Sequence, residues 1–333
     1  MKSAVGEADQ PIIGAIIVKV RKECDLDVAA KLLELGESQL RRFESLGDCY
    51  NLDNSISNVE EAVQLTDDDD PRKAAYLSNL GNRQSTRFER FGHLSDLEHS
   101  IPNTEKAVHL AGSDSSGKSL YLSNLGVNQR YRFERLGYIP DLDAAISNTG
   151  KAVALVDDSH PHKPMYLSNL GISQQLRFQC LGYLSDLDNS ISNKHKAVDF
   201  TNDGHSRKAG RLSNLASSQE VRFQRLGNLC DLENAISNIE KAAQLTNDDH
   251  PTKSLYLAHL GETQIARFQH LGFLVDLESA VSNTGKAVEL TDDNYPHKPT
   301  YLSSLGSSLQ APRLFARSRE CYFEHSQGIW TRR

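Results

Sequence analysis

Tyr76-Leu-Ser-Asn-Leu-Gly81 recurs along this chain of 333 residues at a fixed period of 45 residues. Exact or related copies begin at Lys31, Tyr76, Tyr121, Tyr166, Arg211, Tyr256 and Tyr301. Self-similarity at one period, without insertions, indicates that one supersecondary unit is stacked on copies of itself. A single unit of this kind cannot cover its own apolar face, so its neighbours must do so.

Each unit contains two predicted helices joined by a glycine turn. In residues 71–115, the segment 73–91 places Leu77, Leu80 and Phe88 at helical spacing, which predicts helix A, and Pro71 suits its first turn. Gly92 predicts the end of helix A, and Asp96 predicts the N-cap of helix B. Period-two alternation, the signal of a strand, is not found in any unit. The sequence therefore predicts an all-α, right-handed α-solenoid of about six and a half helix-turn-helix units.

The repeats predict three regions in the chain. Residues 1–26 form a non-repeat N-terminal segment, 27–310 the solenoid, and 311–333 a non-repeat C-terminal tail. In the last unit Pro312 falls inside helix A, where proline costs about 3 kcal/mol, and Arg313 replaces the phenylalanine of earlier units. The tail is interpreted either as a solvating cap or as a point where the natural chain continues differently, and both readings stay open.

The repeat pattern resembles tetratricopeptide repeats. Leu-Gly in helix A, Gly at the hairpin, Ala-Ile or Ser-Ile followed by Ala-Val in helix B, and Pro before the next helix carry the resemblance, although that family's usual unit has about 34 residues. The long form resembles repeats of fungal proteins that often end in a caspase-like CHAT protease domain and, more distantly, those of kinesin light chains. It covers roughly residues 27–310 and implies a protein-binding scaffold.

Composition argues against several classes of function. The net charge of −7 gives no basic field for nucleic acid. The apolar run 11–20 is too short to span a bilayer, so no membrane partner is predicted. The five cysteines fall at unrelated repeat positions, which is typical of free thiols in a reducing compartment and favours a cytoplasmic or nuclear protein.

Candidate chemical motifs are weak, and neither catalytic residues nor a cofactor or metal is predicted. Residues 112–119 match the phosphate-binding G-x-x-x-x-G-K-[ST] pattern, but that loop requires a preceding strand, whereas helix B precedes it here. Lys118 also recurs in every unit. The acidic loops lack the spacing of a calcium site, and His160, His205 and His250 are interpreted as capping or surface groups.

Three polar residues recur in every unit. Gln84 and Asn103 represent two of these ladders and Arg87, at the edge of helix A, the third. Buried polar groups need partners, so the ladders predict hydrogen bonds between adjacent repeats. A residue that contacts one particular ligand should instead differ from unit to unit, and this argument moves attention to variable positions.

A variable stripe on helix A is the predicted partner-binding surface. Its members are Asn82, Ser85, Glu89, Val127, Arg130, Glu134, Ile172, Gln175, Gln179, Glu220, Gln224, Glu262 and Gln269. Positions i, i+4, i+7 and i+11 share one helix face, which the family resemblance places on the concave side. We predict a non-catalytic scaffold that binds an extended peptide or protein segment there. Two other readings stay open: the sensor arm of a CHAT-type protease encoded elsewhere, and drift on an unselected surface.

Overall fold

The computed structural model describes residues 10–112, 117–293 and 295–310, and it describes side chains from residue 23 onward. All regular structure in these ranges is helical, as predicted. The helices are α1 (Gln10–Leu46), α2 (Cys49–Gln64), α3 (Lys73–Phe91), α4 (Leu94–Leu110), α5 (Lys118–Leu136), α6 (Ile139–Ala154), α7 (Lys163–Leu181), α8 (Leu184–Asp199), α9 (Lys208–Leu226), α10 (Leu229–Gln244), α11 (Lys253–Leu271), α12 (Leu274–Glu289) and α13 (298–310). Odd numbers are helices A and even numbers are helices B.

The chain divides into two compact units, Met1–Ser173 and Gln174–Arg333. In unit 1, α1 packs on α2, α3 on α4 and α5 on α6, and consecutive hairpins meet through α2–α3 and α4–α5. In unit 2, α9 packs on α10 and α11 on α12, and consecutive hairpins meet through α8–α9 and α10–α11. Each helix B is therefore shared between its own helix A and the next one, as the repeat pattern predicts.

The region boundaries and the stacking hand predicted from the sequence stay predictions. Helix α1 continues without interruption through residues 26 and 27. Pro312 and Arg313 lie outside the described residues. No described helix combines the length and the apolar character needed to cross a membrane.

The turn between helices A and B depends on a left-handed glycine. Gly92 has φ of 72° and donates its N–H to Phe88 O at 2.7 Å, and its five counterparts have φ between 70° and 75°. Only glycine adopts this conformation without strain, which explains the predicted end of helix A. The N-cap prediction for Asp96 and its counterparts is wrong. Because the connection is only two residues long, His93 is the N-cap and Asp96 lies in the first turn.

Helices A and B approach closely at a second glycine. Ser100 Oγ donates to Gly81 O at 2.7 Å. A Cβ on Gly81 would lie 2.4 Å from Thr104 Oγ1 and 3.1 Å from Ser100 O. Leu77, Leu80 and Leu97 are at most 4% exposed beside this contact. Close backbone approach thus lets the leucines of both helices interdigitate.

Candidate partner-binding surface

The asparagine and glutamine ladders pair inside each hairpin. Asn103 Nδ2 donates to Gln84 Oε1 at 3.0 Å. Five further pairs repeat the bond at 2.7 to 3.0 Å: Asn58–Gln39, Asn148–Gln129, Asn193–Gln174, Asn238–Gln219 and Asn283–Gln264. The partners are 19 residues apart, so they join helix B to its own helix A. The predicted pairing between adjacent repeats is therefore wrong, whereas the structural role of both ladders is confirmed.

The arginine ladder is also part of the framework. Arg132 donates to Asp141 through Nε, at 2.8 Å to Oδ2, and through Nη2. Its counterparts are Arg87–Asp96, Arg177–Asp186, Arg222–Asp231 and Arg267–Asp276. The hydrogen bonds to Asp141 raise the pKa of Arg132 against the opposing effect of burial. These five guanidinium groups are committed to a carboxylate in the first turn of helix B, where helix N-terminal N–H groups also favour a negative charge.

The recurring lysine binds the end of the preceding helix B. Lys73 Nζ donates to Val63 O and Thr66 O, both at 2.6 Å. Lys118 Nζ donates to Ala111 O at 3.2 Å, and the element before it is α4. The strand that a phosphate-binding loop requires is therefore replaced by a helix, as predicted from the sequence. Residues 113–116 of the matching motif lie outside the described residues.

The histidines of the acidic loops act as turn caps. Nδ1 of His160, His205 and His250 accepts a backbone N–H two residues ahead at 3.0 to 3.2 Å. This is the local capping role interpreted from the sequence. Among the described side chains, no three His, Cys, Asp or Glu residues come close enough to hold a metal ion.

The thirteen stripe residues differ widely in exposure. Six are exposed or half-exposed at the C-terminal end of the stripe: Glu89, Glu134, Gln179, Gln224, Glu262 and Gln269. Five are half-buried: Asn82, Val127, Arg130, Ile172 and Glu220. Ser85 and Gln175 are buried, at 6% and 9% exposure. A partner cannot contact these last two in the observed packing, so the available surface is narrower than the predicted stripe and lies toward the C-terminal half of helix A.

In unit 1 the stripe joins neighbouring A helices through polar contacts. The Tyr131 hydroxyl of α5 donates to Glu89 of α3. Arg130 binds Glu134 at 2.5 Å, and its guanidinium carbon lies 4.5 Å from the Tyr131 ring centroid. Burial, followed by the bond to Glu89, raises the pKa of Tyr131, so its hydroxyl stays a donor. The exposed edge of this cluster carries two carboxylates.

In unit 2 the stripe contains a buried lysine that the sequence analysis missed. Lys194 of α8 is 3% exposed and donates to Gln175 Oε1 at 2.5 Å and to Ser218 Oγ at 2.6 Å. Burial lowers its pKa from 10.5 to about 7. The corresponding residues in other units are Val59, Thr104, Thr149, Ile239 and Thr284, so the lysine breaks the repeat pattern. That break was the available sequence signal.

The second missed residue, His259, lies in a cavity of unit 2. His259 Nε2 and Glu220 Oε2 are 2.8 Å apart, and Thr263 Oγ1 also donates to Glu220. Burial opposes protonation of His259, but the bond to Glu220 and the charges of Glu220 and Glu262 raise its pKa overall. The cavity measures about 140 Å³ and is lined by Glu220, Phe223, Gln224, Leu232, His259, Glu262, Thr263 and Ala266. Three of the thirteen stripe residues therefore meet around one small cavity with an acidic rim and an apolar floor.

Comparisons with known proteins identify the fold. No protein-family model and no curated protein matches the chain. Among solved structures, pilF of Pseudomonas aeruginosa is similar at a TM-score of 0.53 and 15% identity, over 83% of this chain and 97% of that one. BtubC of P. vanneervenii is similar at 0.50 and 14%, over 79% and 89%.

A tetratricopeptide-repeat protein of Thermus thermophilus is similar at a TM-score of 0.46 and 16% identity, over 70% of this chain and 98% of that one. At these identities the similarities concern the fold and leave the partner open. Together with the glycine-turned helical hairpins, they give the conclusion of this section: the chain is an α-solenoid of tetratricopeptide-type helical repeats.

Proposed function

We propose that this protein is a non-catalytic scaffold whose exposed helix A surface binds an extended protein or peptide segment. The observation that carries the proposal is the contrast between two sets of positions. The Asn, Gln, Arg, Lys and Asp ladders bond to one another in almost every unit, whereas the stripe changes from unit to unit. Residues that repeat serve the framework, so recognition falls to the residues that differ.

Charge and shape favour a segment rich in hydrogen-bond donors. The accessible stripe residues are mainly glutamates and glutamines, which accept hydrogen bonds from backbone N–H groups or from Lys and Arg side chains. In unit 2, Glu262 lies at a cavity whose floor includes Phe223 and Leu232. An aliphatic stem with a cationic head suits that combination, because the stem covers apolar surface while the head stays at the rim. A basic, extended partner segment is therefore the proposed ligand class.

The alternative as the sensor arm of a CHAT-type protease stays a prediction, and no contact among the described residues favours it. The cytoplasmic or nuclear location also stays a prediction.

A charge-reversal experiment tests the proposal. The groove variant carries Glu89→Lys, Glu134→Lys, Gln224→Lys and Glu262→Lys, all at solvent-accessible positions. A matched control reverses four acids on helices B: Glu61, Glu98, Asp143 and Glu233, each to Lys. Both variants should keep wild-type circular dichroism, because surface substitutions usually change stability by less than about 0.5 kcal/mol each.

The readout has two stages. Partners from native extract are crosslinked to the wild-type chain, and the crosslinked segment is mapped by mass spectrometry and synthesised. Calorimetry should then show that the control variant binds this peptide as the wild type does, while the groove variant loses at least tenfold in affinity. Equal binding by all three proteins, or crosslinks confined to helices B, would contradict the proposal.

A further inference from the structure

The last described helix leaves an apolar face open. Helix α13 is the seventh helix A, and among the described residues no helix B follows it. Leu302 is 50% exposed, and Leu309, on the same face, is 60% exposed. The residues that correspond to Leu302 in earlier units are 2% to 6% exposed: Leu77, Leu122, Leu167, Leu212 and Leu257. Leu302 thus has the sequence of a core position without the cover that every earlier unit provides.

Leu309 shows what kind of cover this face requires. Its counterparts in earlier units are the ladder glutamines, each of which bonds to an asparagine of its own helix B. Leucine cannot make that bond, so in the seventh unit the polar pair is replaced by an apolar position. Leu302, Leu305 and Leu309, at i, i+3 and i+7, then form one continuous apolar stripe along α13. A helix B of the usual kind would bury its asparagine unpaired here, whereas an apolar segment would not.

We infer that residues 311–333 cover this stripe. They follow α13 directly and comprise 23 residues, longer than the 16 or 17 residues of each helix B. Their apolar residues are Leu314, Phe315, Tyr322, Phe323, Ile329 and Trp330. Contiguous exposed apolar surface is unfavourable in water, and a tethered segment covers it at high effective concentration.

Charge complementarity supports the same occupant. Residues 311–333 contain five arginines and two glutamates, a net charge of +3. Residues 274–297, which comprise α12 and its connection to α13, contain five acidic residues and one lysine, a net charge of −4. A helix B packs on its own helix A and lies in the stack beside the previous hairpin, so a segment over α13 would meet this acidic surface. The inference concerns the end of unit 2 and is independent of partner binding by the stripe.

Trp330 provides a direct test, because it is the only tryptophan in the chain. In the full-length protein its emission should be blue-shifted, and its acrylamide quenching constant several-fold lower, relative to the urea-unfolded chain. The double variant Leu302→Asp/Leu309→Asp should raise the quenching constant to that of the unfolded chain. The matched control, Leu155→Asp/Leu255→Asp, changes two leucines of similar exposure, 50% and 45%, in other units and should leave the quenching unchanged.

A tail variant and a mass measurement keep the test decisive if the double variant misfolds. Phe323→Ser leaves every repeat residue intact and should also release Trp330. Light scattering should give a monomer mass over a tenfold range of concentration while Trp330 stays protected. Quenching of the wild type equal to that of the unfolded chain would overturn the inference. Protection that appears only in a dimer would overturn it as well, because a second copy would then be the cover.

Discussion

Lys194 offers a quantitative test of the packing in unit 2, through the substitution Lys194→Met. Methionine keeps the length of the side chain, removes the amine and leaves the 2.6 Å bond from Ser218 Oγ to Gln175 Oε1 in place. Because burial lowers the pKa of Lys194 from 10.5 to about 7, the unfolded chain binds a proton that the folded chain partly releases. This difference disfavours folding by about 4 kcal/mol near pH 7 and about 2 kcal/mol near pH 9.

The two hydrogen bonds of Lys194 Nζ offset part of that cost, by about 1 kcal/mol each. We therefore expect Lys194→Met to raise the free energy of unfolding by about 2 kcal/mol near pH 7 and by almost nothing near pH 9. The sign follows from the lowered pKa: the stability of the wild type rises with pH between the folded and unfolded values, and that of the variant lacks this contribution.

Urea unfolding followed by circular dichroism at both pH values measures the difference. Lys196→Met is the matched control, because Lys196 lies exposed on the same helix, and its effect should be small and the same at both pH values. A Lys194→Met variant less stable than the wild type near pH 7, or a difference that does not change with pH, would refute the reasoning.

Two further predictions concern the hairpin contact and the His259 cluster. Gly81→Ala should lower the free energy of unfolding by about 2 kcal/mol through the clash with Thr104, whereas Gly150→Ala, whose Cβ meets nothing within 4 Å, should raise it by about 0.5 to 1 kcal/mol; urea unfolding that ranks the two variants in the opposite order would contradict this packing. Because the pKa of His259 is raised, its pairing with Glu220 stabilises the fold below the unfolded pKa of 6.5, and that stability is lost as the pH rises through the folded pKa. Glu220→Gln should reduce this pH dependence, and an NMR titration showing the same His259 pKa in wild type and variant would contradict the prediction.

The sequence by itself determined the class of fold and the helix bounds. Helix A was predicted over 73–91, and α3 spans Lys73–Phe91. Its end was predictable because Gly92 acts locally: φ of 72° follows from the missing Cβ and needs no distant contact. The period of 45 residues likewise required each hairpin to pack on the next, since one pair cannot cover its own leucines.

Only the tertiary structure decided which side chains meet. Asn103 bonds within its hairpin instead of to a neighbour, and Asp96 binds Arg87 instead of capping helix B. Gln175, placed on the binding stripe by its spacing, is buried against Lys194. A repeat period reports equivalent positions, but it cannot state the distance between two helices or the direction of a side chain between them. Those depend on how closely the helices approach, which is a property of the packed hairpins and not of any one segment.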